Sequence, residues 1–440
     1  MKLFQQMLVA GAALSLVAPL AAQATDINTD SMNSYDRGNS ASRKQFNSKT
    51  FANDLATTNS RIDSLEVQVN EFEAGSFSNT TTMDGKAVFD IGALDYSESE
   101  TSAEAVRAAY MYVLNLNTSF SGDDNLYVRI KTGNHGGWMT STDHGGYLSS
   151  VGKNDGSLTV DKLWYEFPIG DNNTVWVGPL IENYYMHGTA PSIYQPITKQ
   201  FALGGNGNAY GASTNNGAGW AYKADNGFAI SSNVVSKSTN SVAGATESGC
   251  TAKTASNSYA HSGLLTDCSK TSWATQLGYT QPQYSASIIM NQKYNGWSDG
   301  YFHTKEADDA VVGGNGNHTA IGLRGWWRPQ ETGTATPSVS FGYDTTQYDG
   351  VPAGTSDSSD MWFLGLTWED MFSADDKIGL AFGQPTKHDD ETVDPFAYEL
   401  YYSFKANDSV TITPSIFGGT EREGDAEDVF GALLQTTFKF

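Results

Sequence analysis

Residues 430–440 read Phe-Gly-Ala-Leu-Leu-Gln-Thr-Thr-Phe-Lys-Phe, a strict alternation of side-chain types. Successive side chains of a β-strand point to opposite faces, so the even-numbered residues form one face and the odd-numbered residues form the other. The even face is mainly aromatic and aliphatic, whereas the odd face carries Gln435, Thr437 and Lys439. The stretch predicts a strand with one apolar and one polar face. Such a strand suits either a soluble sandwich or an outer-membrane barrel with lipid outside and water inside.

The composition favours many short strands over packed helices. Of 440 residues, 39% are hydrophobic and only 17% are charged, while glycine (45) and tyrosine (22) are abundant. This balance is typical of strands joined by polar turns. After the N-terminus, no run reaches the roughly 18 apolar residues that a membrane helix needs. A transmembrane barrel accommodates such polarity because half of every strand faces water.

The N-terminal part of the chain divides into three segments. Residues 1–24 have a positive start, an apolar run and a small-residue cleavage site, which together predict a signal peptide. Residues 25–50 are polar and aperiodic, as in a flexible leader. Residues 51–74 repeat apolar positions at spacings of four and three, which predicts a periplasmic coiled coil. A single amphipathic helix lying on a core is the other interpretation of that repeat.

From residue 76 to residue 440 the pattern is strand and turn. We count about sixteen candidate strands, and single-chain bacterial barrels have an even number. Short connections such as 121–125 and 281–283 alternate with long ones such as 134–157 and 181–216. A membrane barrel has tight periplasmic turns at one rim and long external loops at the other. We therefore predict an all-β fold, a 16-stranded antiparallel transmembrane β-barrel over residues 76–440 with both termini in the periplasm.

Charged strand residues mark the predicted pore wall. A charge on the lipid face costs about 2 to 4 kcal/mol at mid-depth, so such residues are expected on the inner face. For each of them, an inward ion pair that only stiffens the wall is the alternative to a role in selectivity. The pore-lining candidates are Arg129, Lys131, Lys162, Glu166, Arg324, Arg328 and Glu399.

The connection 181–216 is long, aromatic and rich in glycine. We predict that it folds into the barrel and narrows it, and an exposed external loop is the alternative. The constriction candidates are Glu182, Tyr184, Tyr185 and Tyr194.

Two cysteines and the net charge bear on the compartment and on the partners. Cys250 and Cys268 belong to an exported chain, so a disulfide is expected, with two free thiols as the alternative. The formal net charge of −23 argues against nucleic acid as a partner. No HExxH motif, Walker loop or nucleophile elbow occurs, so we expect no enzymatic activity, no cofactor and no metal site.

Four motifs occur along the chain: Phe-Ser-Asn-Thr-Thr-Thr-Met-Asp-Gly-Lys-Ala-Val-Phe at 77–89, Leu-Asn-Thr-Ser-Phe-Ser-Gly-Asp-Asp at 116–124, Trp-Tyr-Glu-Phe-Pro at 164–168 and Val-Thr-Ile-Thr-Pro at 410–414. Together they make the chain similar to a known family. From about residue 51 onward it resembles the cyanobacterial outer-membrane porins, sometimes called iron uptake porins, a branch of the carbohydrate-selective porin family. The resemblance implies a 16-stranded, homotrimeric barrel passing small solutes, with a coiled coil in the periplasm. Relatives usually carry a surface-layer-homology domain before the coiled coil, and residues 25–50 are too short for one, which leaves contact with the cell wall open.

The expected function is a passive, water-filled channel of the outer membrane for small hydrophilic solutes: inorganic ions, iron among them, and sugars. The alternative is a structural envelope protein whose coiled coil spaces the outer membrane from the wall. Acidic external loops favour cations, but selectivity is set at the constriction, where the basic wall residues favour anions. Lipid and lipopolysaccharide would surround the barrel. Phe440 resembles the terminal aromatic by which assembly machinery recognises barrels.

Overall fold

The structure is a computed structural model that describes residues 76–78, 80–96, 105–141, 146–210, 214–237, 269–297, 316–421 and 428–440. The signal peptide, the leader and the coiled coil expected over residues 1–74 lie outside the described residues. The same holds for Cys250 and Cys268, so their disulfide stays a prediction.

Sixteen long strands follow one short strand, β1 (Ser76–Ser78). The long strands are β2 Thr81–Tyr96, β3 Arg107–Thr118, β4 Asn125–Gly133, β5 Thr159–Ile169, β6 Asn173–Ile181, β7 Asn215–Lys223, β8 Phe228–Ser236, β9 Thr271–Gln281, β10 Tyr284–Tyr294, β11 His318–Trp327, β12 Ser338–Tyr348, β13 Ser358–Glu369, β14 Lys377–His388, β15 Phe396–Asn407, β16 Val410–Thr420 and β17 Val429–Lys439. Three short 3-10 helices occupy Gly137–Thr140, Asn183–Met186 and Lys199–Phe201. No helix within the described ranges is long and apolar enough to span a membrane.

The sixteen long strands close into a barrel. Each strand from β2 to β17 pairs antiparallel with its neighbour in sequence, and β17 also pairs with β2. At this seam Phe438 lies opposite Ala87, and Leu434 lies opposite Ile91. β1 pairs only with β2. Closure leaves no unpaired edge among the sixteen strands, and it confirms the predicted 16-stranded antiparallel barrel.

The alternation along the strands separates an outer from an inner face. Phe430 on β17 is 40% exposed, whereas Gln435 on the opposite face is 9% exposed and donates to Asp90 of β2 at 3.0 Å. Large apolar side chains on the outer face of the other strands are likewise exposed. An outward apolar face is the one that meets lipid in a membrane barrel. Examples are Phe89, Val177, Trp220, Leu277, Ile288, Ile321, Phe341, Leu400 and Ile416.

Two of the short turns share one aspartate-based design. Asp124, directly before β4, accepts hydrogen bonds from the backbone amides of Phe120 and Ser121 and from the hydroxyl of Tyr165 at 2.6 Å. Asp376, directly before β14, accepts from three backbone amides of its own turn and from the hydroxyl of Tyr402 at 2.9 Å. A carboxylate in this position pairs the turn amides and bonds the turn to a neighbouring strand.

Candidate functional site

Residues 182–210 of the connection between β6 and β7 lie inside the barrel. The middle of this stretch is held by Glu399 of β15, a residue without exposed surface. The Glu399 carboxylate accepts from the amide of Ile197 at 3.0 Å, from the amide and hydroxyl of Thr198 at 2.8 and 2.7 Å, and from the hydroxyl of Tyr194 at 3.0 Å. We call residues 182–210 the inserted segment.

Residues of β11 and β12 hold the inserted segment closer to its C-terminal end. Arg324 of β11 donates from Nε to the carbonyl of Leu203 at 2.9 Å and forms an ion pair with Asp344 of β12. Asp344 in turn accepts from the amide of Ala209 at 3.0 Å. At Gly342 of β12 a Cβ would collide with the carbonyl oxygen of Gly204, so glycine permits this close approach. The inserted segment is thus bonded to several strands of the inner wall.

The described parts of a second connection, residues 134–141 and 146–158, also fold inward, which the sequence analysis did not anticipate. Leu148 forms an isolated β-bridge with Thr198 of the inserted segment. The amide of Ser149 donates to the carbonyl of Ile197 at 2.7 Å, and the amide of Lys199 donates to the carbonyl of Tyr147 at 2.8 Å. The signal for this insertion is faint in the sequence: two apolar pairs, Trp138-Met139 and Tyr147-Leu148, within a polar loop.

The two inward connections fill part of the lumen with a hydrophobic core. Rings and aliphatic chains from both connections pack on inward side chains of the wall, so water is excluded from this part of the barrel. Members of the cluster are Leu94, Trp138, Met139, Tyr147, Leu148, Val151, Tyr194, Ile197, Phe201, Met361, Phe363, Tyr401, Phe417 and Leu433. The remaining passage must run beside this core.

A cavity of about 500 Å³ lies beside the core, between the inserted segment and the inner faces of β2, β3, β4, β5 and β17. We call it the basic cavity, because six basic side chains line it. Two acidic side chains, Asp84 and Glu182, and the chain end at Phe440 also contribute to the lining, with Ser149 and Ser150 on the side of the inward connections. The six basic residues are Lys86, Arg129, Lys131, Lys162, Lys199 and Lys439.

Ion pairs account for part of this charge. Arg129 pairs with Asp161, and Lys162 pairs with Glu182. Lys162 also donates to the hydroxyls of Tyr184 at 3.2 Å and Tyr185 at 3.1 Å. Burial would raise the pKa of the Glu182 carboxyl, but the Lys162 ammonium outweighs it and the pKa falls to about 2. Glu182 therefore stays ionised and balances Lys162.

The carboxylate of Asp84, by contrast, is hydrogen-bonded by neutral groups. Asp84 accepts from the side-chain amides of Asn115 at 2.6 Å and Asn117 at 3.3 Å. Within the described residues, no three His, Cys, Asp or Glu side chains converge in a way that could hold a metal ion.

The structure places the predicted pore-lining residues in three different environments. Arg129, Lys131 and Lys162 line the basic cavity. Glu166 faces inward and accepts from the indole of Trp176 at 2.8 Å, next to the short turns. Arg324, Arg328 and Glu399 do not line the basic cavity.

Arg324 and Glu399 lie on the inner face, as the alternation predicts, but the inserted segment covers them. Arg324 is 3% exposed and Glu399 is 0% exposed, so neither faces open water. Arg328 follows the last residue of β11 and donates to the carbonyl of Pro282 at 2.6 Å, which puts it at the short-turn rim rather than in the wall. Strand alternation reports the face of a side chain but not what packs on it.

The predicted constriction residues all lie inside the barrel. Glu182 and Tyr184 line the basic cavity, and Tyr185 packs on Trp164 with ring centroids 4.7 Å apart. Tyr194 packs instead on Phe363, 5.8 Å between centroids, within the hydrophobic core. Their role in narrowing the pore stays a prediction.

Three basic residues of the cavity were missed by the sequence analysis: Lys86, Lys199 and Lys439. Lys86 and Lys439 occupy the inner face of their strands, opposite the apolar face that identifies those strands. The same alternation that selected Arg129 could therefore have selected both. Lys199 has no comparable signal, because it belongs to the inserted segment.

The chain end closes the seam of the barrel. The amide of Gly85 donates to the carbonyl of Phe440 at 2.9 Å, and the amide of Phe440 donates to the carbonyl of Gly85 at 3.2 Å. The Phe440 ring stacks on Tyr112 with centroids 5.7 Å apart.

Comparison with known sequences identifies relatives along most of the chain. The sequence model described as carbohydrate-selective porin, OprB family, matches residues 39–440. An uncharacterized protein of Nostoc sp. is 25% identical over 430 residues, which cover 89% of this chain and 70% of that protein. A second uncharacterized protein, from Synechocystis sp., is 28% identical over 128 residues, which cover 28% of this chain and 23% of that protein.

Comparison with solved structures gives the same architecture. The high-pH structure of Pseudomonas putida OprB matches 82% of this chain and 94% of its own chain, with a TM-score of 0.56 and 11% identity. The anion-selective porin from Comamonas acidovorans matches 82% of this chain and 99% of its own, with a TM-score of 0.51 and 10% identity. At such low identity these matches show the fold, a closed porin-type barrel.

Proposed function

Since the chain belongs to the carbohydrate-selective porin, OprB family, it is an outer-membrane channel, and we propose that it passes small hydrophilic solutes with a preference for anions. The inward connections occupy part of the lumen, so solutes pass beside the hydrophobic core and along the basic cavity. Passage is then governed by pore width and wall charge rather than by a binding cycle.

The charge of the basic cavity is the observation that carries this proposal. Six basic side chains line it against two acidic side chains, in a chain whose formal net charge is −23. Field lines concentrate in a narrow passage with low-dielectric walls, so the local excess of positive charge outweighs distant acidic loops. Cations, free iron included, are disfavoured at this point.

Sugars are a second class of solute, favoured by a run of packed aromatic rings at the cavity. Tyr127 and Trp164 lie 4.2 Å apart between centroids, and Tyr184 and Tyr185 lie 4.5 Å apart. Tyr127 and Tyr184 line the cavity itself. Apolar faces next to hydroxyl and amide groups suit the mixed surface of a sugar ring.

Reversal potentials measured on the refolded protein in a planar bilayer test the proposal. In a gradient of potassium chloride we expect discrete conductance steps and a reversal potential of the sign given by chloride permeation. The reverse sign would contradict the anion preference. An absence of conductance steps would contradict the channel and favour the structural envelope protein.

The assembly proposed for the channel is a homotrimer surrounded by outer-membrane lipid and lipopolysaccharide. The exposed apolar side chains of the outer face support contact with lipid. The periplasmic coiled coil and any contact with the cell wall depend on residues before Ser76.

A further inference from the structure

We propose that the basic cavity is a binding site for a small, doubly charged oxyanion of the phosphate type. This inference rests on the proposed function, because the cavity must lie on the conducting path. It adds that one class of solute is retained there and competes with chloride.

A row of lysines across adjacent strands is the first observation. Lys439 of β17 lies directly opposite Lys86 of β2, Lys86 lies opposite Val113 of β3, and Val113 lies opposite Lys131 of β4. The three lysines therefore lie in one row across the strands of the inner wall, and with strands about 4.8 Å apart the row spans about 14 Å. All three line the basic cavity.

The lysine row has no counter-charge in direct contact. Among the residues that the structure describes, no carboxylate oxygen lies within ion-pair distance of Lys86, Lys131 or Lys439, and Lys86 donates only to the hydroxyl of Ser150, at 3.4 Å. The nearby carboxylates are engaged elsewhere: Asp161 with Arg129, and Glu182 with Lys162.

Like charges in this arrangement are unfavourable by themselves. Lys86 and Lys439 are direct cross-strand neighbours, and identical charges in such a pair repel each other. The repulsion is relieved when an anion sits between the ammonium groups. A dianion gains twice the attraction of chloride at each ammonium, since the Coulomb energy is proportional to the product of the charges.

The remaining lining suits an oxyanion. Lysine ammonium groups and serine hydroxyls supply hydrogen-bond donors, and oxygens of a phosphate-type ion accept several of them at once. The Ser150 hydroxyl lies beside the lysine row, with its Oγ 3.4 Å from the Nζ of Lys86, and the cavity volume of about 500 Å³ accommodates such an ion together with water. Chloride can use the charge but offers no array of oxygen acceptors.

Block of the chloride current by inorganic phosphate tests the site. The full-length protein is recorded in a planar bilayer in potassium chloride at pH 7.5, where phosphate is mainly a dianion. We expect a saturable decrease in the chloride current, with the half-blocking phosphate concentration raised about tenfold in Lys86→Gln and in Lys131→Gln, the effect of losing one charged hydrogen bond. Lys377→Gln is the matched control, because Lys377 is a lysine near the short-turn rim that is paired with Glu369 outside the cavity lining.

The outcomes separate the site from the channel. A chloride-selective channel on which phosphate acts only through ionic strength, equally in wild type and in Lys86→Gln, overturns the site and leaves the proposed function intact. A channel without anion preference overturns the proposed function instead. Phosphate binding to the detergent-solubilised protein, measured by calorimetry, provides a readout that does not depend on conductance, and a heat signal identical in wild type and in Lys131→Gln also overturns the site.

Comparison of several anions then distinguishes an organic phosphate from inorganic oxyanions as the bound solute. Sulfate and glucose 6-phosphate are tested at equal concentration beside inorganic phosphate. Stronger block by glucose 6-phosphate supports an organic phosphate as the solute, with the rings of Tyr127 and Tyr184 beside the lysine row. Equal block by all three supports a site for doubly charged oxyanions in general.

Discussion

Glu399 is the residue on which the position of the inserted segment depends most directly. Its carboxylate accepts four hydrogen bonds from Tyr194, Ile197 and Thr198, and it lies in the wall without exposed surface. Two of the donors are backbone amides, which cannot turn away to find another acceptor. Buried donors that lose their acceptor cost about 1 to 3 kcal/mol each.

Glu399→Gln should therefore release the inserted segment while keeping the shape of the side chain. The NH2 group of glutamine would face at least one hydrogen-bond donor of the inserted segment, and that donor would lose its acceptor. We therefore expect a loss of about 2 kcal/mol in stability together with larger and noisier single-channel currents. Proteolysis within residues 191–210 should become faster. Glu369→Gln is the control, since Glu369 pairs with Lys377 near the rim and does not contact the segment. Unchanged currents in Glu399→Gln would mean that Arg324 and Asp344 suffice to hold the segment.

At the scale of elements, the aspartate turns stabilise the short-turn rim. Hydrogen bonds from Tyr165 and from the amide of Ser121 hold the pKa of the Asp124 carboxyl below its usual range. For Asp376, burial would raise the pKa, but the turn amides and Tyr402 outweigh it and the pKa is lowered. The same sequence logic recurs at both turns: a serine three residues before the aspartate, and a strand directly after it.

These turns predict a defined dependence of stability on pH. A carboxyl whose pKa is depressed by folding stabilises the fold fully above the pKa of the unfolded chain, about 3.9. It loses this contribution as the pH falls from that value through the lower pKa of the folded protein. The melting temperature of the solubilised barrel should stay level from pH 7 to about pH 5 and decrease below about pH 4. The decrease should be smaller in the double variant Asp124→Asn, Asp376→Asn, whereas Asp171→Asn, in an exposed position of another short turn, should behave as wild type. An equally steep decrease in the double variant would assign the acid sensitivity to other groups.

At the scale of the whole molecule, barrel closure joins the two ends of the described chain. The register between β17 and β2 aligns residues more than 300 positions apart, and Phe440 completes it through two backbone hydrogen bonds to Gly85. Folding must therefore bring the last strand to the first described strands before the barrel is closed. Contacts between such distant residues form late and slowly, because loop closure costs entropy before the contacts form.

Deletion of Phe440 should impair assembly more than it impairs the finished barrel. Two hydrogen bonds and one ring contact are lost, about 3 kcal/mol in all. If the terminal aromatic also serves as an assembly signal, the amount of folded barrel in the outer membrane, measured by heat-dependent mobility on gels, should fall further than this loss explains. Phe438→Ala is the control, since it removes a ring that packs on Phe89 at 5.1 Å but keeps the terminal aromatic. Normal assembly of the deletion variant would restrict Phe440 to a packing role.

Local patterns in the sequence were sufficient for the barrel itself. Alternation with period 2 identifies the two faces of strands such as residues 430–440, and the alternation of short and long connections identifies the two rims. Both signals are carried by residues close together in the chain, so they survive without knowledge of the tertiary structure. The inward direction of Arg129, Lys131 and Lys162 follows from the same rule.

The contents of the barrel lumen depend on tertiary contacts between distant parts of the chain, which the local sequence does not reveal. Insertion of residues 146–158 depends on a β-bridge from Leu148 to Thr198 in another connection, and the covered positions of Arg324 and Glu399 depend on the inserted segment. The lysine row is the clearest case, because Lys439, Lys86 and Lys131 come into one row only through the registers of four strands and the closure of the barrel. A strand's own sequence determines which way a side chain points, whereas its height in the wall and its neighbours are set by pairing with distant strands.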